Sequence, residues 1–156
     1  MRRPRPGSVG RADNLGGVGM FATLAYSDGR WSRGRPTAVP FLLVDVHDGD
    51  LATVDYRFAD ASGGRFYLGY EPRIYFEQPD AAFPVDVDAE AVGFARWARE
   101  AVESDVDPED VRRLMAAADG APPPEDVTVV ETVDRLVALA GLPGVDWPTD
   151  SDAPAG

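Results

Sequence analysis

The sequence predicts an α+β fold, an antiparallel sheet of four to five strands followed by two or three helices packed on one face. Three observations carry that expectation. Residues 20–78 hold short apolar runs separated by Asp-Gly and Gly-Gly turns, as in a meander. Beyond Asp88 the apolar repeat lengthens to the helical period of about 3.6 residues. Strands first and helices after is the order of a sheet covered on one side by helices.

Each element has its own signal. Residues 20–26 (MFATLAY) open the sheet, and Ser27-Asp28-Gly29-Arg30 turns it toward Trp31. Residues 37–46 (TAVPFLLVDV) read as a strand, with Pro40 marking an edge position or a late start. After His47-Asp48-Gly49-Asp50, residues 51–59 alternate. Ala52, Val54, Tyr56 and Phe58 share a buried face, and Leu51, Thr53, Asp55 and Arg57 a wet one. Residues 60–65 (DASGGR) form a third turn, and residues 66–70 and 73–77 are one strand broken at Glu71-Pro72 or two short ones. Asp88 then caps a helix whose apolar face is Phe94, Trp97, Ala98 and Ala101. Asp107-Pro108 starts a second helix, with Val111, Leu114, Met115 and Ala118 as its stripe and Gly120 as its stop. Beyond the stiff linker of residues 121–124 (APPP), Thr128 and Glu131 have capping-box spacing. They open a third stripe of Val129, Val133, Leu136, Val137 and Ala140 that ends at Gly141. The domain expected is 20–142, between a disordered Arg/Gly/Pro-rich arm (1–19) and a disordered acidic tail (143–156) anchored only by Trp147.

Composition narrows the function classes. The absence of cysteine removes disulfides, thiolate metal sites and cysteine nucleophiles. No apolar run approaches the ~18 residues of a membrane span, and no secretory leader is present, so a cytoplasmic protein is expected. All 15 basic residues are arginine, and the net charge is −12. Lysine avoidance of this kind follows from GC-rich coding or a salt-rich cytoplasm without any functional cause. The charge is also uneven. Residues 1–36 carry seven arginines against Asp13 and Asp28, a net +5, and residues 37–156 carry eight against 25 acids, a net −17. So acidic a body repels nucleic-acid phosphates and anionic membranes, and favours a basic protein partner.

Few residues stand out as chemistry. His47 is the only histidine, and with Asp45 on the same strand face it offers two metal-ligand types, but the Asp-Gly turn beside it explains the segment more simply. A lone imidazole on a turn also gives no support to a Ser-His-Asp triad, and neither a metal nor a cofactor is expected. Arg33-Gly34-Arg35-Pro36 matches the core of minor-groove hooks, yet the body's charge opposes DNA. Glu71 and Glu77, with Tyr70 and Tyr75 between them, have the makings of an acid/base pair. Ordinary strand alternation, with Arg57, Arg65 and Arg73 as cross-strand partners, accounts for them equally. Gly16-Gly17-Val18-Gly19 precedes a strand and opens no helix, so it is no phosphate loop. Trp31 follows a turn in an Arg-rich stretch and, if exposed, is the best candidate for an interface anchor.

Two stretches, Asp28-Gly29-Arg30-Trp31-Ser32-Arg33-Gly34 within residues 24–34 and Tyr67-Leu68-Gly69 with Pro84-Val85-Asp86 within residues 66–97, resemble small immunity proteins of bacterial polymorphic-toxin systems. Residues 105–156 have no counterpart in that pattern. The resemblance implies a protein that binds and neutralises a cognate toxin without catalysis. The expectation is therefore a non-enzymatic protein-binding module acting through an acidic surface. Partner-contacting residues are sought among Trp31, Arg33, Arg35, Glu71, Arg73 and Glu77. The alternative is a small enzyme or ligand-binding domain whose pocket, between sheet and helices, uses Tyr70, Glu71, Arg73 or Glu77.

Overall fold

Turn chemistry folds residues 21–69 into a five-stranded antiparallel sheet, β1 (Ala22–Ser27), β2 (Arg30–Arg33), β3 (Phe41–His47), β4 (Leu51–Arg57) and β5 (Gly63–Gly69), in the spatial order β2-β1-β3-β4-β5. The structure, a computed structural model, describes residues 21–36, 38–69, 85–116 and 127–147. Three helices follow the sheet, α1 (Val87–Val102), α2 (Pro108–Leu114) and α3 (Val129–Leu139), as an α+β fold requires. The arm 1–19, the strand expected at 73–77 and residues 148–156 of the tail lie outside the described residues.

The first hairpin closes over two residues, Asp28 at φ 58° and Gly29 at φ 83°. Positive φ at both central positions gives the turn whose twist matches that of the strands, and Asp-Gly adopts it at low cost. The β3–β4 turn repeats the device, with Asp48 at φ 57° and Gly49 at φ 68°. The β4–β5 turn has no glycine at its left-handed residue, Ala61. It is held by the Asp60 carboxylate, which accepts hydrogen bonds from the Ser62 backbone (3.0 Å) and hydroxyl (2.6 Å). These bonds draw the Asp60 pKa below its ordinary value. Pro40 precedes β3 instead of interrupting it, and β3 is the central strand, so the late start is the correct reading of that proline.

The sheet's helix-facing side is the core. Leu42, Val44, Val46, Ala52, Val54, Tyr56, Phe66 and Leu68 pack against Ala91, Phe94, Trp97 and Ala98 of α1, Val111 of α2 and Val129, Val133, Leu136 and Val137 of α3. Burying each large side chain contributes about 1.5–3 kcal/mol before entropy is charged against it. Phe94 lies nearly parallel to Trp97 at 5.7 Å and edge-on to Phe66, also at 5.7 Å. The opposite face of β4 is less wet than its alternation suggests. Leu51 and Asp55 are 3% and 6% exposed; Ala25, Leu43 and Tyr67 of the same face are buried with them, and Asp55 is clasped by Arg65.

Two helix boundaries differ from the sequence expectation. Asp86, not Asp88, caps α1, accepting from the Ala89 amide. Val87 packs against the core and so belongs to the first turn, which puts the cap one residue before it. Asp88 instead adds negative charge to that turn, where the helix dipole favours it. The second helix ends at Leu114 and does not run to Gly120. Met115 turns extended and bridges Leu68, and the Ala116 amide donates to the Tyr67 carbonyl at 2.7 Å. The unpaired edge of β5 outcompetes another helical turn for that backbone. Asp107-Pro108 and the Thr128–Glu131 capping box stand where the sequence puts them, and Gly141, at φ 71°, follows α3. Residues 143–147, counted with the tail in sequence, meet the body. Val145 and Trp147 pack on the core, and the Trp147 indole donates to Asp134 at 2.8 Å.

Candidate functional site

Of the side chains singled out in sequence, three are brought together. Trp31, Arg33 and Arg35 sit on or just past β2, at one edge of the sheet, while Tyr70, Glu71, Arg73 and Glu77 lie outside the described residues. Trp31 is half-buried, not exposed. Its ring meets Tyr26 edge-on at 5.4 Å, and its indole N–H donates to the Pro143 carbonyl at 2.8 Å. It therefore fastens β2 to the segment after α3, 112 residues away in sequence. Arg33 and Arg35, with Arg30, remain exposed, and no acid among the described residues lies in ion-pair range of them. Arg57 and Arg65, expected beside Glu71 and Glu77, turn to Asp55. Arg65 grips both its carboxylate oxygens, at 2.8 and 3.1 Å, and Arg57 approaches to 3.7 Å. That fork raises the Arg65 pKa above its ordinary value.

His47 ends β3 with Phe21 edge-on at 4.9 Å, and the neighbouring Asp45 accepts a hydrogen bond from Thr23 at 2.9 Å. No three histidine or carboxylate side chains among the described residues converge in a way that would hold a metal ion.

One buried polar contact is absent from the sequence reading. The Tyr56 hydroxyl, on the core face of β4, donates to the Glu90 carboxylate of α1 at 2.6 Å. Two glycines make the space for it. A Cβ on Gly64 would stand 2.4 Å from that hydroxyl, and a Cβ on Gly93 would stand 2.1 Å from it. Burial, reinforced by Glu90, pushes the Tyr56 pKa well above the ordinary tyrosine value, so the phenol stays protonated and keeps donating. With two glycine backbones approaching the oxygen this closely, the pair works as a bolt between sheet and helix. Only Gly93, inside an otherwise helical run, hinted at it, since a helix interior gains nothing from glycine unless something approaches closely.

The remaining candidate is a surface. The sheet segment 21–69 carries six acids and five arginines, a net −1, whereas residues 85–116 carry nine acids and four arginines, a net −5. The four arginines of this segment are already engaged, as Arg96–Glu100 at 2.8 Å, Arg99–Asp105 at 3.2 Å, Arg112 with Asp88 and Glu109, and Arg113 with Glu109 and Asp110, while Arg135 of α3 stands exposed outside it. Acids without an arginine partner among the described residues stand at the α1–α2 junction, where Glu103 and Asp107 are exposed on either side of the paired Asp105. No helix among the described residues is long and apolar enough to cross a membrane.

Comparison with known proteins adds nothing to this geometry. No family model, curated protein or solved structure matches the chain.

Proposed function

We propose that this chain is a non-enzymatic protein-binding module, of the immunity or inhibitor type, that engages a basic partner through the acidic outer surface of α1 and α2. The observation that supports the reading is the sorting of charge. The sheet is nearly neutral, and the acids in excess stand on α1 and α2, whose four arginines are each already paired with a nearby acid. A field of one sign over a continuous surface steers an oppositely charged partner into contact and speeds association, and salt screens it. The residues that support an enzyme less well are the titratable groups of the core side. Tyr56 and Glu90 are bound to each other, and Asp55 is bound by arginine.

The test is capture from native lysate at about 20 mM and again at about 500 mM salt, a range over which the screening length falls from over 20 Å to under 5 Å. A basic protein retained at low salt and released at high salt is the expected result. Retention of nothing, or of a partner indifferent to salt, would refute the reading. Neutralising Asp88, Glu100, Glu103 and Asp105 together (D88N/E100Q/E103Q/D105N) should abolish that capture.

A further inference from the structure

We infer that the free edge of β2 is a second docking site, of opposite sign to the first, for a short acidic segment of a partner protein bound in extended conformation as a sixth strand. The register fixes which backbone groups are available. Ser27 and Arg30 flank a two-residue turn and therefore exchange hydrogen bonds, Ala25 and Ser32 are the next such pair, and the Gly34 amide continues the pattern by donating to the Thr23 carbonyl at 2.8 Å. Tyr26–Trp31 and Leu24–Arg33 are then the alternate, non-bonded pairs. The N–H and C=O of Trp31 and Arg33 consequently point away from β1, two residues apart, in the spacing that an added strand requires.

The other edge of the sheet is treated differently. Met115 and Ala116 close β5 at Leu68 and Tyr67, whereas Arg30, Ser32 and Arg33 are exposed and no described segment pairs with β2 beyond β1. The edge is also firm. Trp31 is pinned by Pro143 and Tyr26, so adding a strand orders little that is loose.

Charge selects the occupant. Arg30 and Arg33 project on opposite faces of β2, since they are three residues apart on a strand, and Arg35 lies just beyond. A second copy of this chain would set arginine against arginine and is disfavoured. Acidic side chains on the incoming strand would meet arginines on both faces. A nucleic acid fits less well on two counts. Its phosphates accept hydrogen bonds but donate none to the Trp31 and Arg33 carbonyls. A long polyanion would also run from this small cationic edge into a molecule of net charge −12.

The experiment titrates the full chain with a synthetic, end-blocked peptide of repeating Glu-Glu-Val, which sets glutamates on both faces of a strand, and follows backbone amides by NMR. Saturable binding is expected, with the largest shifts and slowed hydrogen exchange at the Trp31 and Arg33 amides. R33Q, which removes a charge from an exposed side chain, should weaken binding severalfold. R33P also deletes the outward N–H while leaving the pairing to β1 intact, and should weaken it by about a further tenfold, the worth of one good hydrogen bond. An unfolded R33P protein would be recognised by loss of amide dispersion. The same peptide with N-methyl groups on alternate residues then supplies the backbone test on the unaltered protein, and should not bind. The inference is overturned if N-methylation leaves affinity unchanged, if the shifts map to the helical layer, or if a duplex DNA binds the edge as tightly as the peptide. The helical surface has a different probe, a basic protein, so the two readings fail separately.

Discussion

On the helical layer Arg96, Arg99, Arg112 and Arg113 each lie within ion-pair distance of a nearby acid, whereas Arg30, Arg33 and Arg35 beside the β1–β2 turn face solvent with no described acid in reach. The net charge of −12 hides this difference. Where acids outnumber arginines nine to four, every arginine is drawn into a local pair and the remaining acids set the sign of the surface. Where arginines gather on an edge strand, they keep their own field. What matters for partners is therefore the sorting of charge by secondary structure, which no composition figure reports. Individually these exposed pairs are worth little to stability; their consequence is which charges remain available.

The largest test of that comparison asks whether the two poles ride on one body. Trp97 joins them. It is 1% exposed, stacks on Phe94 and donates its indole N–H to the Arg57 carbonyl at 2.9 Å. Trp97→Ala should cost about 3–5 kcal/mol in urea unfolding, and a cost under ~1 kcal/mol would mean that the helices are not packed on the sheet as described.

The Tyr56–Glu90 bolt comes next. Tyr56→Phe should cost about 1–2 kcal/mol, because a half-buried carboxylate loses its donor. The same residue gives a pH signature. Its folded pKa lies above the unfolded value, so its contribution is whole below pH ~10 and is lost as pH rises from there. Stability of the native protein should fall in that alkaline window more steeply than that of Tyr56→Phe.

Thr128→Ala should be milder, about 1 kcal/mol, through loss of the capping box that starts α3. The smallest effect is the most specific to the comparison. Hydrogen bonding to Arg112 holds the Glu109 carboxyl below its ordinary pKa. A side-chain titration by NMR should find it there, and Arg112→Gln should let it rise. Because the folded pKa is depressed, whatever stability this pair gives is present above about pH 4 and lost on acidification through the folded value. An ordinary titration in the native protein would show that the helix arginines are as free as those of β2.

Much of the architecture is legible in the residues. Asp-Gly turns, a two-residue alternation and two well-formed cap signatures act locally, and local signals survive into the fold. What escaped were decisions made between distant segments. The competition of β5's edge for Met115 shortened α2, the pinning of Trp31 by Pro143 took an apparently exposed indole inward, and Asp55 drew Arg65 from other acids. The candidate surface was half legible. The excess of acids is countable in the sequence, but which arginines are already paired depends on helix geometry and on the α1–α2 junction. Tyr56 and Glu90, 34 residues apart, carried no signal beyond one misplaced glycine.

The proposed contact is between the acidic helical layer and a basic partner. The direct measurement is the association rate of the captured partner, at low salt, with the native chain, with D88N/E100Q/E103Q/D105N and with R30Q/R33Q/R35Q. The helical-layer variant should associate at least about tenfold more slowly and lose its salt dependence, while the β2 variant associates as fast as the native chain or faster. Unchanged association of the helical-layer variant, or a slower rate in the β2 variant instead, would contradict it.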